Sequence, residues 1–363
     1  MEIIEKFDKF KKYTFEDLIE IKKPINFYTK IKNSMVTANN VIIFSMYFGD
    51  GEMCKELLNI IIERERKGMK TKIVLDKNQR TSKKLMIFAN EKNLKCFQFL
   101  DLSTCIDFLR LKEISAQFHS KLYMFDDEII LTGANLEDYY FKNRLDRYFI
   151  IKNRALGEDL QNLKTSSRII QNIRNNCLIK YGRQDEKYVL EVLFNTDFDS
   201  VVLSSAYFNL PSAYCDILKK QKNVNFFVSA PKYNIFNNFG KFGPFISKLY
   251  EFISYRTLQK IPKATLYQFG LEGYTLHKKG IWAFKDDICV SILGSSNFNR
   301  RSSERDEELN FCVITQDPKI YKIFNVEVSF LKINSKSVQI SNFNFGKYKI
   351  LYLILFLLFG RFL

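Results

Sequence analysis

The sequence predicts an α/β protein made of two similar units, each with a mixed sheet that carries helices on its faces. Buried-strand patterns alternate with amphipathic stretches, which is typical of such layers. Hydrophobic residues make up 46% of the 363 residues, enough to build cores in both units. The third observation is a set of landmarks that recur at offsets of 158 to 162 residues: Tyr47 and Tyr207, His119 and His277, and Asn135 and Asn297. Such a repeat indicates a duplicated unit.

The predicted elements follow the same order in both units. In the first unit, strands are expected over residues 41–48 and 72–76, with an amphipathic helix between them that ends near residue 68. In the second unit, the matching strands are residues 200–208 and 225–230, with a helix over residues 211–220. Each unit then has two strands joined by a turn, at residues 121–125 and 128–131 and at residues 280–284 and 289–293.

These patterns divide the chain into five segments. We expect an N-terminal extension (1–22), a first unit (23–155), a polar linker of helical pattern (156–185), a second unit (186–335) and a C-terminal tail (336–363). The N-terminal segment mixes acidic residues with lysines and has no apolar region, so no secretory signal or presequence is expected. In the tail, the apolar run at residues 350–359 spans only ~15 Å as a helix, half of a bilayer core. It is either an interfacial membrane anchor or a final helix packed on the body.

Charge and cysteine content narrow the function classes. The formal net charge of +16 predicts attraction to an anionic partner, either nucleic acid or an acidic membrane surface, without choosing between them. The seven cysteines are scattered and contain no C-x-x-C pair. This pattern argues against a disulfide framework and against a structural zinc site, and favours a reducing compartment.

The only two histidines of the chain stand in two H-x-K elements, His119 with Lys121 and His277 with Lys279. An imidazole can attack phosphorus or protonate a leaving group, and a lysine can neutralise phosphate charge. A single histidine near an apolar strand is usually structural. The recurrence of the whole element instead predicts one phosphodiester site assembled from two halves.

A turn of small residues and then a carboxylate follow each H-x-K element. The turns end in Asn135 and in Ser295-Ser-Asn297, whose amide, hydroxyl and backbone groups are candidates to bind phosphate oxygens. Eleven residues beyond each asparagine stand Asp146 and Glu308. A carboxylate bonded to an imidazole fixes its tautomer, so these two acids either orient the histidines or form solvated ion pairs.

His119, Lys121 and Asp126 match the H-x-K-x(4)-D signature, and the chain here resembles the phospholipase D superfamily. Residues 118–148 and 274–314 further resemble its eukaryotic phosphatidylglycerophosphate synthase branch, and the resemblance covers about residues 20–320. Two positions depart from the pattern. Phe284 stands where the second aspartate is expected, and the first turn, Gly133-Ala-Asn135, lacks the usual serine.

The resemblance implies an active site at the interface between the two units and a transfer reaction without metal or other cofactor. His119 would attack CDP-diacylglycerol, and His277 would act as acid and base toward the leaving CMP and the acceptor glycerol-3-phosphate. Lys121, Lys279 and Asn297 would stabilise the phosphoryl charge, with Asp126 part of the catalytic motif. The resemblance also implies association with an anionic membrane surface in a mitochondrion or a related organelle, and no nucleic-acid or protein partner.

Three alternatives remain open at this stage. The same chemistry would serve a phosphodiesterase or nuclease, or a cardiolipin or phosphatidylserine synthase, and a non-catalytic reader of lipid phosphates would need the fold alone. The arginines that follow the two turns are either an acceptor-phosphate pocket or ordinary surface charge: Arg144, Arg147, Arg300, Arg301 and Arg305. Residues 236–250 are either a membrane-facing loop or an irregular packed one.

Overall fold

The computed structural model describes residues 2–102, 116–162, 176–238, 240 and 243–360. Its strands are β1 (Lys12–Thr14), β2 (Ile19–Glu20), β3 (Asn40–Phe44), β4 (Lys70–Asp76), β5 (Phe97–Leu100), β6 (Leu122–Phe125), β7 (Glu128–Thr132), β8 (Arg144–Leu145), β9 (Tyr148–Lys152), β10 (Asn176–Gly182), β11 (Ser200–Ser204), β12 (Val224–Ser229), β13 (Thr265–Phe269), β14 (Thr275–Leu276), β15 (Gly280–Lys285), β16 (Ile288–Gly294), β17 (Leu309–Thr315) and β18 (Ser335–Val338). Its α-helices are α1 (Glu2–Glu5), α2 (Pro24–Thr37), α3 (Glu52–Arg66), α4 (Arg80–Glu91), α5 (Asp138–Lys142), α6 (Arg154–Asn162), α7 (Arg183–Phe194), α8 (Ser212–Leu218), α9 (Gly243–Lys260), α10 (Arg300–Glu304), α11 (Pro318–Ile333) and α12 (Lys349–Phe359).

The strands form two mixed sheets with a repeated order. The first sheet runs β2-β9-β7-β6-β3-β4-β5, and the second runs β1-β10-β17-β16-β15-β11-β12-β13-β18. In each sheet, three parallel strands (β3 to β5, and β11 to β13) lie beside an antiparallel hairpin (β6–β7, and β15–β16). Strands β9 and β17 each pair antiparallel with the hairpin of their sheet, so six strands recur in the same order and sense. The predicted duplicated α/β unit with mixed sheets is confirmed.

The inner faces of the two sheets contribute to one shared core. Leu122 and Leu131 of the first sheet belong to the same buried cluster as Val202, Trp282 and Phe311 of the second. The outer faces are covered by helices, α2 and α3 on the first sheet and α7 and α8 on the second. Burying apolar side chains from both units in one cluster fixes the two sheets against each other, which a site shared between the units requires.

Both first strands are shorter than predicted, because the chain turns out of the sheet at a buried serine. Strand β3 ends at Phe44, and the Ser45 hydroxyl then donates to the Tyr47 carbonyl at 2.7 Å and accepts from the Leu136 amide at 3.1 Å. Strand β11 ends at Ser204, and the hydroxyl of the next residue, the buried Ser205, accepts from the Tyr207 amide at 3.3 Å. Tyr47 and Tyr207 consequently leave the sheets and are half-buried.

The helical pattern predicted for the linker is wrong at residues 176–182. These residues form β10, which pairs with β17 over seven residue pairs from Asn176↔Thr315 to Gly182↔Leu309. Strand β1, from the N-terminal extension, adds to the outer side of β10. The structure of this segment is determined by hydrogen bonds to strands that are distant in sequence, and a local sequence pattern does not predict such pairing.

One side of the C-terminal helix α12 packs on the body, as the second of the two alternatives for this segment predicts. Tyr352 is buried and stacks against Phe245 of α9 with ring centroids 5.2 Å apart, and Asn209 Nδ2 donates to the Gly360 carbonyl at 2.7 Å. Apolar side chains on the other side of the helix, including Ile350, Ile354, Leu357 and Leu358, are exposed. Among the described helices, none is both long and apolar enough to cross a bilayer.

The described residues of the stretch 236–250 make packing contacts. Phe236 stacks on Tyr250 with ring centroids 5.6 Å apart, and its centroid is 5.7 Å from that of Tyr207. Both alternatives predicted a loop, which is wrong at residues 243–250, because these residues form the start of α9.

Candidate active site

His119 is held by residues from the opposite half of the chain. The His119 amide donates to the Glu307 carbonyl of the second half at 2.9 Å. The preceding residue is held within the first half, because the Phe118 amide donates to the buried Asp76 carboxylate at 2.7 Å. The imidazole Nδ1 lies 3.0 Å from both carboxylate oxygens of Glu308. Its backbone and its ring are therefore both positioned by the segment at residues 307–308, and its Nε2 atom points away from the carboxylate.

His277 is held in the reciprocal way. Strand β14, just before it, pairs in parallel with β8, and the His277 amide donates to the Leu145 carbonyl at 2.8 Å. Its Nδ1 lies 2.5 Å from Asp146 Oδ2. Each half of the chain thus supplies one histidine and the carboxylate that contacts the histidine of the other half. The contacts that the two halves make at the site are therefore reciprocal.

The two lysines of the H-x-K elements are buried beside the histidines. Lys121 Nζ donates to the His119 carbonyl, while Lys279 Nζ, in a side chain that is 1% exposed, has no hydrogen-bond partner among the described residues. Burial lowers the pKa of Lys279 to about 8. Burial and then the neighbouring Lys279 charge lower the pKa of Lys121 well below its usual range. An anion bound beside these two buried amines favours their charged forms, because it offsets the cost that burial places on the charge.

The imidazoles are neutral at neutral pH, as a nucleophile or base must be. Burial lowers the pKa of His119 to about 3, although Glu308 acts in the opposite direction. Burial and the positive charge of Arg144 lower the pKa of His277 well below its usual range. Burial opposes ionisation of Glu308, but His119 and Lys121 outweigh it and lower that pKa to about 2. Burial instead raises the pKa of Asp146 to about 6.

The two glycine turns meet between the histidines. A Cβ atom on Gly133 would lie 2.7 Å from the Gly294 carbonyl oxygen, 3.1 Å from Lys279 Cδ and 3.2 Å from Asp146 Oδ1. Because no side chain fits there, glycine allows the turns of the two halves to approach each other. Gly294 itself adopts a φ of 147°, which L-residues rarely adopt.

The three residues predicted to bind phosphate differ in their contacts. Asn135 Oδ1 accepts from the Met46 amide at 3.1 Å, and Ser295 Oγ donates to Glu308. Both side chains thus support neighbouring parts of the site. Asn297 Oδ1 is buried and has no hydrogen-bond partner among the described residues. Among these three side chains, the Asn297 side-chain oxygen is therefore the atom that remains available to accept a hydrogen bond from a ligand.

Asp126 is not brought to the histidines. It is exposed at the β6–β7 turn, at the end of β6 away from His119, and its carboxylate accepts from the Asn39 and Asn40 amides at 3.1 and 2.8 Å. It adopts a φ of 53°, and Asp286 in the β15–β16 turn adopts a φ of 50°. We therefore propose a structural role for Asp126 in place of the catalytic one predicted. Because β15 is two residues longer than β6, the structural counterpart of Asp126 is Asp286, and the aspartate missing at Phe284 is only displaced along the chain.

Two features of the site were missed by sequence reasoning. The Tyr140 hydroxyl lies 3.3 Å from His277 Nε2, with the two rings edge to face. Glu186 is fully buried and accepts from the Tyr214 hydroxyl at 2.8 Å and from Asn310 Nδ2 at 3.3 Å, next to the second turn. Neither has a counterpart in the repeat: Ser302, at the position that matches Tyr140, instead accepts from the Asn297 amide. No spacing signal was available to find them.

The arginines that follow the turns are in different environments. Arg147 is buried in an ion pair with Glu327 at 2.8 Å, and Arg301 Nε donates to Asp306 at 2.9 Å. The Arg300 guanidinium lies over the Phe356 ring of α12 at 5.4 Å. Arg144 donates to the Tyr207 hydroxyl at 2.6 Å and lies beside His277.

A duplicated sheet whose halves each supply a histidine, a lysine and a carboxylate to one buried site defines the phospholipase D class of proteins. A family model described as "Cardiolipin synthase, PLD-like domain" matches residues 29–166. Residues 29–166 therefore carry a domain of the phospholipase D type.

Relatives and a solved structure agree with this assignment. A protein of Gallus gallus named CDP-diacylglycerol–glycerol-3-phosphate 3-phosphatidyltransferase, mitochondrial, is 22% identical over 89% of this chain and 79% of its own length. A Dictyostelium discoideum protein, named as a probable enzyme of the same activity, is 22% identical over 94% of this chain and 77% of its own. The crystal structure of phosphatidylserine synthase from Haemophilus influenzae matches with a TM-score of 0.80 at 15% identity, covering 99% of this chain and 97% of the other. The structural likeness concerns the fold.

Proposed function

We propose that this protein transfers the phosphatidyl group of CDP-diacylglycerol to glycerol-3-phosphate, giving phosphatidylglycerophosphate and CMP. The observation that carries the proposal is the crossed pair of histidine–carboxylate contacts around two buried lysines. Relatives that bear the name of this activity match over most of the chain.

In the first step, His119 Nε2 attacks the phosphorus of the lipid. A P–N bond forms, the P–O bond to CMP breaks, and His277 gives a proton to the leaving oxygen. His277 is neutral in the free protein, so it must be protonated in the complex. Binding of the diphosphate anion beside it favours the charged imidazole and raises its pKa.

In the second step, neutral His277 removes the proton of an acceptor hydroxyl. The acceptor oxygen bonds to phosphorus, the P–N bond to His119 breaks, and His277 is again charged for the next cycle. Asp146 and Glu308 keep the reacting Nε2 atoms aimed at phosphorus and stabilise the cationic rings.

Lys121 and Lys279 stabilise negative charge on the transferring phosphoryl group, with Asn297 as a further contact. Removal of one such donor from a preorganised site typically costs ~3 kcal/mol of transition-state stabilisation. The Lys279 ammonium, which has no hydrogen-bond partner among the described residues, is the observation that supports this assignment.

The protein acts at a membrane surface through the exposed face of α12. That face is linked to the site through a series of contacts. Helices α9 and α12 pack together, and the ring centroid of Tyr250 in α9 is 6.1 Å from that of Tyr207. The Tyr207 centroid is in turn 6.0 Å from that of His277. Arg256 and Arg300 lie over Phe356, next to the apolar face. A cationic rim around apolar side chains suits an anionic bilayer. A mitochondrial location is proposed from the names of the relatives.

The lipid donor requires room for charge and for apolar chains. A cavity of about 480 Å³ lies next to the His119 segment and is lined by Phe118, Ser120 and Glu308. Its lining also combines three lysines (Lys9, Lys11 and Lys180) with aromatic side chains. We assign this cavity to part of the CDP-diacylglycerol molecule.

The test is a turnover assay of the purified chain in detergent micelles with CDP-diacylglycerol and labelled glycerol-3-phosphate, with and without EDTA. We expect label in a chloroform-soluble phospholipid under both conditions and none with His119→Ala. CMP and phosphatidic acid without labelled lipid would indicate a hydrolase. Transfer to phosphatidylglycerol or serine instead would indicate another synthase of the superfamily.

A further inference from the structure

We propose that Arg144 forms the binding site for the phosphate group of the acceptor, with Tyr207 and Tyr140 as its walls. This inference rests on the proposed function and adds the group that selects glycerol-3-phosphate over water and over uncharged alcohols. It concerns a side chain that holds the acceptor and takes no part in proton transfer.

Arg144 is a buried cation that forms no salt bridge among the described residues, and Asp146 and Glu137 interact with its charge only at longer range. The residue is 7% exposed, and no carboxylate of the described residues forms a salt bridge with it. Its guanidinium donates to the neutral Tyr207 hydroxyl at 2.6 Å and lies 4.6 Å from the centre of the Tyr140 ring. Its Nε atom is buried and has no hydrogen-bond partner in the described part of the chain. A buried charge of this kind is costly unless an anion completes it, and a phosphate oxygen provides that anion.

Two of the other candidate arginines are paired with carboxylates, and Arg300 lies over the Phe356 ring. Arg147 is used by Glu327, and Arg301 by Asp306, so neither guanidinium is available to a ligand. Arg144 is also the residue whose position suits the acceptor. It lies in β8, two residues before Asp146, and β8 pairs with the strand that leads into His277.

Tyr140 connects the guanidinium to the reacting nitrogen. Its ring lies under Arg144, and its hydroxyl is 3.3 Å from His277 Nε2. The acceptor hydroxyl must reach this same nitrogen to lose its proton, and its phosphate is attached three carbons away. The acceptor therefore displaces the Tyr140 hydroxyl contact at one end and meets the guanidinium at the other.

The opening of this site is formed by the two tyrosines that mark the repeat. Tyr207 and Tyr47 are half-buried, and both lie close enough to Arg144 to interact with its charge. Burial raises the pKa of Tyr47 to about 12, with the nearby Arg144 acting against that shift. Neutral hydroxyl donors around a guanidinium are a common arrangement for a phosphate monoester.

The reacting phosphorus does not need this arginine, because the lysine side chains of the two H-x-K elements lie there beside His119 and His277. A cation away from that point suits a phosphate that does not react, which is either the acceptor phosphate or the cytidylyl phosphate of the donor. The departing CMP is also a phosphate monoester, so the experiment must separate the two.

The experiment measures two rates in Arg144→Gln, Arg144→Lys and the wild-type chain. The first is lipid formation against glycerol-3-phosphate concentration, and the second is CMP release without any acceptor. We expect KM for glycerol-3-phosphate to rise about 10- to 100-fold in Arg144→Gln, less in Arg144→Lys, with a much smaller change in acceptor-free CMP release. Free glycerol at high concentration should become as good an acceptor as glycerol-3-phosphate in Arg144→Gln. The exposed Arg154, paired with Glu158, is the matched control, and Arg154→Gln should leave both rates unchanged.

Two results would overturn the inference. An unchanged KM in folded Arg144→Gln would remove Arg144 from acceptor binding, and an equal fall in both rates would assign it to the donor. If both Arg144 variants fail to fold, Tyr207→Phe decides, because it removes one wall of the site and must raise the same KM. If the wild-type chain releases CMP but never forms labelled lipid, the proposed function itself fails, which the wild-type arm alone reveals.

Discussion

Glu308 contacts Nδ1 of His119 at 3.0 Å, although the two residues are 189 positions apart and belong to different copies of the repeat. Asp146 and His277 repeat the contact in the opposite sense, at 2.5 Å. Neither copy can therefore assemble a complete histidine–carboxylate pair by itself. The duplication is a requirement of the chemistry, since each half completes the reacting group of the other.

Replacing Glu308 by Gln tests this relationship. Glutamine keeps an acceptor for Nδ1 but removes the charge that stabilises a phosphorylated or protonated ring. We expect turnover to fall by about 10²- to 10⁴-fold while the fold is retained. The exposed Glu304 of α10 does not line the cavity assigned to the donor, and Glu304→Gln is the matched control. Equal activity of the two variants in an assay of CMP release would contradict the pairing.

The pKa values of Asp146 and Lys279 predict a bell-shaped dependence of kcat/KM on pH. Below about pH 6, Asp146 is protonated and no longer stabilises the His277 ring, so activity falls with decreasing pH. Above about pH 8, Lys279 loses its charge and the phosphoryl group loses a cation, so activity falls with increasing pH. Lys279→Arg should move the alkaline limb upward, because a guanidinium stays charged. An alkaline limb at the same pH in that variant would assign it to another group.

Asp126→Ala should destabilise the protein without harming catalysis. It removes two hydrogen bonds to backbone amides and places alanine at a φ of 53°. Asp286→Ala carries the same backbone cost at a φ of 50°, so the difference between the variants isolates the hydrogen bonds. We expect Asp126→Ala to lose about 1–2 kcal/mol more in the free energy of unfolding by urea. A more than tenfold loss of kcat/KM in folded Asp126→Ala would restore the catalytic role.

The exposed face of α12 should be needed for membrane binding. Leu357 and Leu358 are 70% and 61% exposed, and their burial in a bilayer would contribute a few kcal/mol. The double substitution to Gln should weaken binding to anionic vesicles at least tenfold in a flotation assay, with the melting temperature unchanged. Ile333→Gln, at an 82% exposed site on α11, is the control. Equal vesicle binding of both proteins would exclude α12 as the contact surface.

Much of the fold could be predicted from the sequence, because its signals are local. The apolar runs gave the strands β3, β4, β11 and β12, and the constant offset of the landmarks gave the duplication. Strand β10 could not be predicted in this way, since it is defined by its pairing with β17 and β1. The ends of β3 and β11 depend on buried serine contacts that no strand pattern shows.

The candidate site likewise has features that local sequence patterns predict and features that depend on tertiary structure. The H-x-K elements and the two carboxylates are visible as motifs, and the structure brings them together. Which carboxylate contacts which histidine is a tertiary property, and so is the separation of Asp126 from the site by the length of β6. The choice of Arg144 among five arginines required knowing that Glu327 and Asp306 neutralise two of the others.

In the proposed mechanism, His119 carries the phosphatidyl group between the two steps. The most direct measurement is a rapid acid-free quench of the chain with CDP-diacylglycerol labelled in its phosphatidyl phosphorus and no acceptor, followed by peptide mapping. We expect label on the peptide that contains His119 in the wild-type chain and no label in His119→Ala. When glycerol-3-phosphate is added to the labelled wild-type protein, we expect the label to move into lipid. Label on the His277 peptide, or CMP release with no labelled protein at any time, would contradict it.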